Sequence, residues 1–150
     1  MNPNPDVTPF GAWPSPISAE TLVSGAIGIS ETCVDSDDIW WAESRPDEGG
    51  RTAVMRSCDG ETEEITPPDA YVRTLVHEYG GGAWWVHAGV LFYVDVSDQR
   101  LRKLIPGFEP VFLTAESDIE RGLRYADGRV TPDGKWYICV QERHETGAEP

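Results

Sequence analysis

The side chains best placed to do chemistry cluster around one short stretch. His77, Glu78 and Tyr79 are followed by Gly80, Gly81 and Gly82, with Arg73 four residues upstream. An arginine there could grip a peptide carboxylate through its planar fork, and a glutamate could hold an amino group. Such residues would line a channel or meet a neighbouring domain. The alternative is structural: the same polar groups bond turns within the fold, and the glycines let backbone pass closely. The residues alone leave both readings open. Arg124 and Asp127, on either side of Tyr125 and Ala126, pose a similar choice between an internal ion pair and a channel lining.

Other chemistries find no constellation. Three glycines with no following Lys-Ser/Thr and no helix start do not cradle phosphate. His77, Glu78, His87 and His144 lack the His-Glu-x-x-His spacing, and Cys33, Cys58 and Cys139 lie 25 and 81 residues apart, so no metal is expected. Asp35-Ser36-Asp37-Asp38 lacks the glycine and terminal glutamate of a calcium loop and reads as a solvated turn. No Gly-x-Ser-x-Gly elbow occurs. The nearest run, Gly28-Ile29-Ser30-Glu31-Thr32, ends in Thr where the tight strand-to-helix turn needs Gly. Catalytic residues, cofactor and metal are all expected to be none. An odd number of cysteines in strand-like settings reads as free, half-buried thiols suited to a reducing compartment.

The elements that must position these residues are strands. Asp35–Asp38 launches Ile39-Trp40-Trp41-Ala42-Glu43-Ser44; His87-Ala88-Gly89 launches Val90 to Asp95; Thr131-Pro132-Asp133-Gly134 launches Lys135 to Val140. The turn ends at 38, 89 and 134 are 51 and 45 residues apart. Each aromatic, β-branched run suits a sheet core. Shorter strands precede the first two runs, near 30–34 and 83–86. Two more follow each of them, at 52–56 and 62–65 and then at 99–105 and 110–114. Four antiparallel strands per repeat at this period describe a propeller blade. The fold class is all-β: a partial propeller of about two and a half four-stranded blades, over 26–66, 83–114 and a truncated 115–150 ending in a polar tail from Glu142. Trp40, Trp41, Trp84, Trp85 and Trp136 are expected in the core, Trp40 and Trp136 at equivalent blade positions. Residues 1–25 form a Pro-rich arm, pinned by Phe10, Trp13 and Ile17, and one short helix capped by Ser18 and ended by Gly25.

Length agrees poorly with completeness. The 150 residues would make one ordinary domain, yet a propeller needs at least four blades to close. The net charge of −14 is concentrated in residues 1–69, with 14 acidic and 3 basic side chains. Such a surface repels nucleic acid and anionic lipid, so neither is an expected partner. No apolar window is long enough to span a membrane, and the first residues lack the pattern of a signal peptide. The cytoplasm is the expected location.

Several motifs now fall into order: Pro14-Ser15-Pro16-Ile17-Ser18, Glu43-Ser44-Arg45-Pro46, Gly49-Gly50-Arg51, Arg73, His77 to Gly82, Arg124 to Asp127, and Gly128 to Trp136. Together they resemble the N-terminal propeller of the prolyl oligopeptidase family of serine peptidases, in its bacterial branch of dipeptidyl aminopeptidases and acylaminoacyl-peptidases. The resemblance implies a propeller that screens peptides above an α/β-hydrolase domain whose Ser-Asp-His triad follows it in the chain. That domain is absent here. The expected partners are therefore the missing C-terminal hydrolase domain, the peptide substrate of the full-length enzyme, and other copies of the chain meeting its open blade faces. Arg73, His77, Glu78, Tyr79 and Arg124 are the candidate channel or domain-interface residues. The expected function is a gating and scaffolding fragment without catalysis. The alternative is an independent binding module completed by oligomerisation.

Overall fold

The computed structural model describes Pro9, Gly11 and residues 16–144; Phe10, Trp13 and the chain beyond His144 lie outside the described residues. A short helix, α1 (Ala19–Val23), is capped by Ser18, whose Oγ accepts from the Thr21 amide at 3.1 Å, and Gly25 follows it at φ +68°. Ile17 beside it is half exposed. All the strands are antiparallel. The first sheet holds β1 (Gly28–Asp35), β2 (Asp38–Arg45), β3 (Arg51–Cys58) and β4 (Glu61–Glu64) in chain order. The second repeats that order with β5 (Trp84–His87), β6 (Val90–Val94), β7 (Leu101–Leu104) and β8 (Val111–Phe112). The third is a pair, β9 (Leu123–Val130) with β10 (Tyr137–Arg143). These are two full propeller blades and part of a third, in an array that does not close. No helix among the described residues is long and apolar enough to cross a membrane.

Period-two alternation makes the sheets stack. In the first sheet Trp40 and Ala42 share a face, and their register partners Arg56 and Val54 share it too. In the second sheet Trp84 pairs with Tyr93, and Val86 with Leu91. Trp40, Ala42, Val54, Trp84, Val86, Leu91, Tyr93 and Leu104 meet in one buried cluster between the two sheets. Each large side chain buried this way stabilises the joint by about 1.5–3 kcal/mol. The opposite face of the second sheet carries Phe92 and Val94. With Leu101 they pack against Leu123, Tyr125, Tyr137 and Cys139, the Phe92 and Tyr137 rings stacking at 4.9 Å. The turns are tied as well. The Asp35 carboxylate, in the β1–β2 turn, accepts from the amides of Ala88 (3.0 Å) and Gly89 (2.6 Å) in the β5–β6 turn.

Three expectations need correction. Trp136 is 69% exposed rather than buried, and Trp41 and Trp85 are half-buried outside the core; only Trp40 and Trp84 lie in it. Trp136 shares with Ile138 and Val140 the face of the third sheet that points away from the second, and nothing among the described residues covers that face. Second, the polar tail does not begin at Glu142, because β10 continues to Arg143 and Glu142 makes contacts described below. Third, Gln99 precedes β7 rather than opening a strand. It sits fully buried at φ +60°, accepting from the Leu75 amide (2.7 Å) and donating to the carbonyls of Arg73 and Val96, both at 3.3 Å. Gln99→Leu strands those groups without partners, and a loss of about 2–4 kcal/mol is expected in denaturant unfolding.

Candidate functional site

Four of the five candidate residues lie in the segment that links the first sheet to the second, residues 65–83; the fifth, Arg124, lies in β9. Thr66 opens the linking segment by accepting the Val54 amide at 3.1 Å. Val72 then runs between the sheets, donating to the Thr52 carbonyl at 2.9 Å and bridging to Asp95. The Asp95 carboxylate accepts the Tyr71 amide, and Gln99 fixes Arg73 and Leu75, so the stretch is held from below. Beyond Leu75 the chain turns sharply, and His77 and Glu78 both take left-handed backbone at φ +55° and +61°. Such strain is uncommon outside glycine and marks a constrained place. Gly82, at φ +62°, closes the segment. A Cβ there would lie 2.1 Å from Asp127 Oδ1, so only glycine fits.

The five residues separate into two groups. Arg124 donates from Nη1 to Glu78 Oε1 at 2.6 Å and to the Leu75 carbonyl at 2.9 Å. His77 donates its amide to Glu142 Oε1 at 2.9 Å and places Nδ1 3.1 Å from the same oxygen; His144 Nε2 meets the other carboxylate oxygen at 3.2 Å. These contacts bind the linking segment to the third sheet. Arg124 pairs with Glu78, not with Asp127. Arg73 and Tyr79 stand apart. Arg73 is exposed and its guanidinium meets only the Tyr71 hydroxyl, at 3.4 Å, among the described residues; Tyr79 is 91% exposed.

The Glu142 clasp has a pH dependence. Burial opposes its charge, but the His77 amide, the His144 ring and their partial positive charge together hold the carboxyl below its ordinary 4.5. A carboxyl lowered in the folded state adds stability above its unfolded value, which is lost as pH falls through the folded one. The joint to the third sheet should therefore weaken below pH 4.5. Glu142→Gln should flatten that acid limb in a series of thermal unfolding midpoints against pH.

Sequence reading missed Glu31. It sits at a register break in β1 with φ +50°, and its Oε1 accepts the Gly82 amide at 3.2 Å. Asp127 occupies a comparable break in β9 at φ +53°, its amide donating to the Gly82 carbonyl at 2.9 Å. β1 and β9 thus both meet the linking segment at Gly82, which is flanked by two carboxylates. Asp127 lines the inner cleft there, beside Arg129, whose guanidinium lies 3.9 Å over the Trp85 ring. The signal at Asp127 was the Asp127-Gly128 pair inside a strand; Glu31 carried only its charge among β-branched and apolar neighbours. Cys33 also lines this cleft, but burial and Asp35 push its thiol up, and burial does the same at Cys139, which keeps both protonated. No group of His, Cys, Asp and Glu among the described residues is arranged to hold a metal ion.

No protein-family model matches the sequence, and no curated protein matches it. Solved structures do. A puromycin-hydrolyzing peptidase of Mycobacterium tuberculosis is 39% identical with a TM-score of 0.82, over 92% of this chain and 22% of that one. A puromycin hydrolase matches at 34% identity and TM-score 0.73, and a mutant of puromycin hydrolase complexed with PGG matches at 35% and 0.74. Both likenesses cover 84% of this chain and 21% of the other. The chain spans about a fifth of the length of these peptidases.

Proposed function

We propose, from the resemblance of this chain to the N-terminal propeller of prolyl oligopeptidase-family peptidases, that it is the substrate-admitting and scaffolding part of a serine exopeptidase and does not hydrolyse substrate itself. The observation that carries this reading is the match of 92% of the chain, at 39% identity, to part of a puromycin-hydrolyzing peptidase. The absence of a Gly-x-Ser-x-Gly elbow from these 150 residues supports it. In this reading a hydrolase domain of dipeptidyl or acyl-aminoacyl specificity supplies the triad, and the propeller admits short peptides and excludes folded protein. Half-buried free thiols suit the cytoplasm. The test is an exchange: this chain replaces the matching segment of the puromycin-hydrolyzing peptidase. The hybrid should cleave puromycin and short peptides while sparing a folded protein. Digestion of the folded protein at a comparable rate would refute gating.

A second reading is favoured by the two ends of the stack. Ile29, Val34 and Ile39 are exposed on the outer face of the first sheet, as Trp136, Ile138 and Val140 are on the third. Apolar sheet faces of this kind are covered by a neighbour when one is present. An independent module completed by its own copies would give a sharp closed oligomer in light scattering at low micromolar concentration. A fragment would give a broad, aggregating distribution.

A further inference from the structure

The joint between the first two sheets changes character along its length. Around Trp40, Val54 and Leu91 it is apolar and closed. Farther along the same face of the first sheet come Ser30, Ser44 and Thr52, as their register with Ala42 and Val54 requires. There the sheets part into a cleft of about 300 Å³, roofed by the segment that carries Tyr71, Arg73 and Tyr79.

The cleft is rich in donors without partners. The hydroxyls of Ser30, Ser44 and Thr52 make no hydrogen bond to another described residue. Trp84 also lines it. Ser30 and Ser44 are exposed and Thr52 is half-buried, so these hydroxyls are open to an incoming acceptor. Arg73 adds a cation. Arg73, like Arg100, Arg121, Arg129 and Arg143, holds no carboxylate among the described residues, and of these it alone lines this cleft. Glu31 is the acid on the cleft wall, and one of its oxygens is committed to the Gly82 amide.

We propose that this cleft binds the free carboxylate of a short peptide, with Arg73 as its anchor. The guanidinium fork matches a planar, singly charged carboxylate and can bind it through two parallel hydrogen bonds. A multiply charged phosphate would meet Glu31 across the same cleft and is disfavoured. The cleft has room for a peptide end rather than a folded surface. The assignment rests on the peptide-handling role above and names the group recognised.

Calorimetric titration of the chain at low ionic strength tests it, with triglycine as the free acid and triglycine amide as probes. The acid is expected to bind about tenfold more tightly than the amide, a difference of about 1.4 kcal/mol. Arg73→Gln should remove that preference, and Arg73→Lys should keep part of it. Arg73 is exposed, so the unfolding midpoint of both variants should stay at the parent value, which separates lost binding from lost folding. Equal binding of acid and amide, no binding of either at millimolar concentration, an unchanged Arg73→Gln variant, or displacement by inorganic phosphate at the same concentration would each overturn the assignment. The exchange experiment does not depend on Arg73, so the propeller role stands or falls separately.

Discussion

Replacing Trp40 by alanine should destabilise the protein by about 3–5 kcal/mol, while the same change at Trp136 should leave the unfolding midpoint almost where it was. The two tryptophans hold matching places in the turn–strand repeat, two residues after each turn ends. Trp40 is fully buried where the first two sheets meet, with the Arg56 guanidinium 5.5 Å over its ring. Its removal opens a large cavity in the joint that orders the stack. Total stabilities of single domains are about 5–15 kcal/mol, so a loss of this size consumes much of the reserve. Trp136 lies on the uncovered face of the third sheet, 69% exposed, and truncating it removes little packing. Equilibrium unfolding in urea, followed by circular dichroism, compares the two directly. Equal losses would mean that the outer face of the third sheet is covered in solution, as the oligomeric reading requires.

Gly128→Ala should be the most damaging single methyl in the third sheet. Gly128 is buried in β9, and a Cβ there would stand 1.7 Å from Tyr137 Oη, 1.9 Å from Cζ and 2.4 Å from Cε1. The Tyr137 ring has no easy retreat, because it stacks on Phe92 and forms the joint to the second sheet. Burial also pushes its hydroxyl pKa up, which marks how little water reaches it. Overpacking of this kind costs about 1–3 kcal/mol and more where nothing can shift, so a loss of about 3 kcal/mol is expected. The cause can be isolated with a double-mutant cycle. In a Tyr137→Ala background the added methyl meets no ring, and the Gly128→Ala penalty should largely disappear. Strict additivity of the two changes would show that the clash is not its origin.

The sheets were legible because each blade announces itself by a polar turn followed by an aromatic run, a local signal of one turn and one strand. Burial was less legible. Alternation puts Trp40 and Trp136 on corresponding faces, but whether a face is covered depends on the next sheet, which strand periodicity does not report. The candidate site was legible as a set of residue types and not as a set of contacts. Glu78 and Arg124 stand out in the sequence, yet they are 46 residues apart and only the stacking of sheets makes them partners. Glu142 looked like part of a solvated tail because its partners, His77 and His144, include one 65 residues upstream. Gln99 and Glu31 escaped for a different reason. Each is a single polar residue in or beside a strand, and its importance comes from backbone groups of distant segments that carry no side-chain signature.

In the proposed reading these residues form the admitting part of a peptidase without being the part that cuts. Purified chain incubated with chromogenic dipeptidyl and acyl-aminoacyl amides, and with puromycin, tests it most directly. The predicted result is product release no faster than the buffer blank. Turnover that a serine-directed covalent inhibitor abolishes would contradict it.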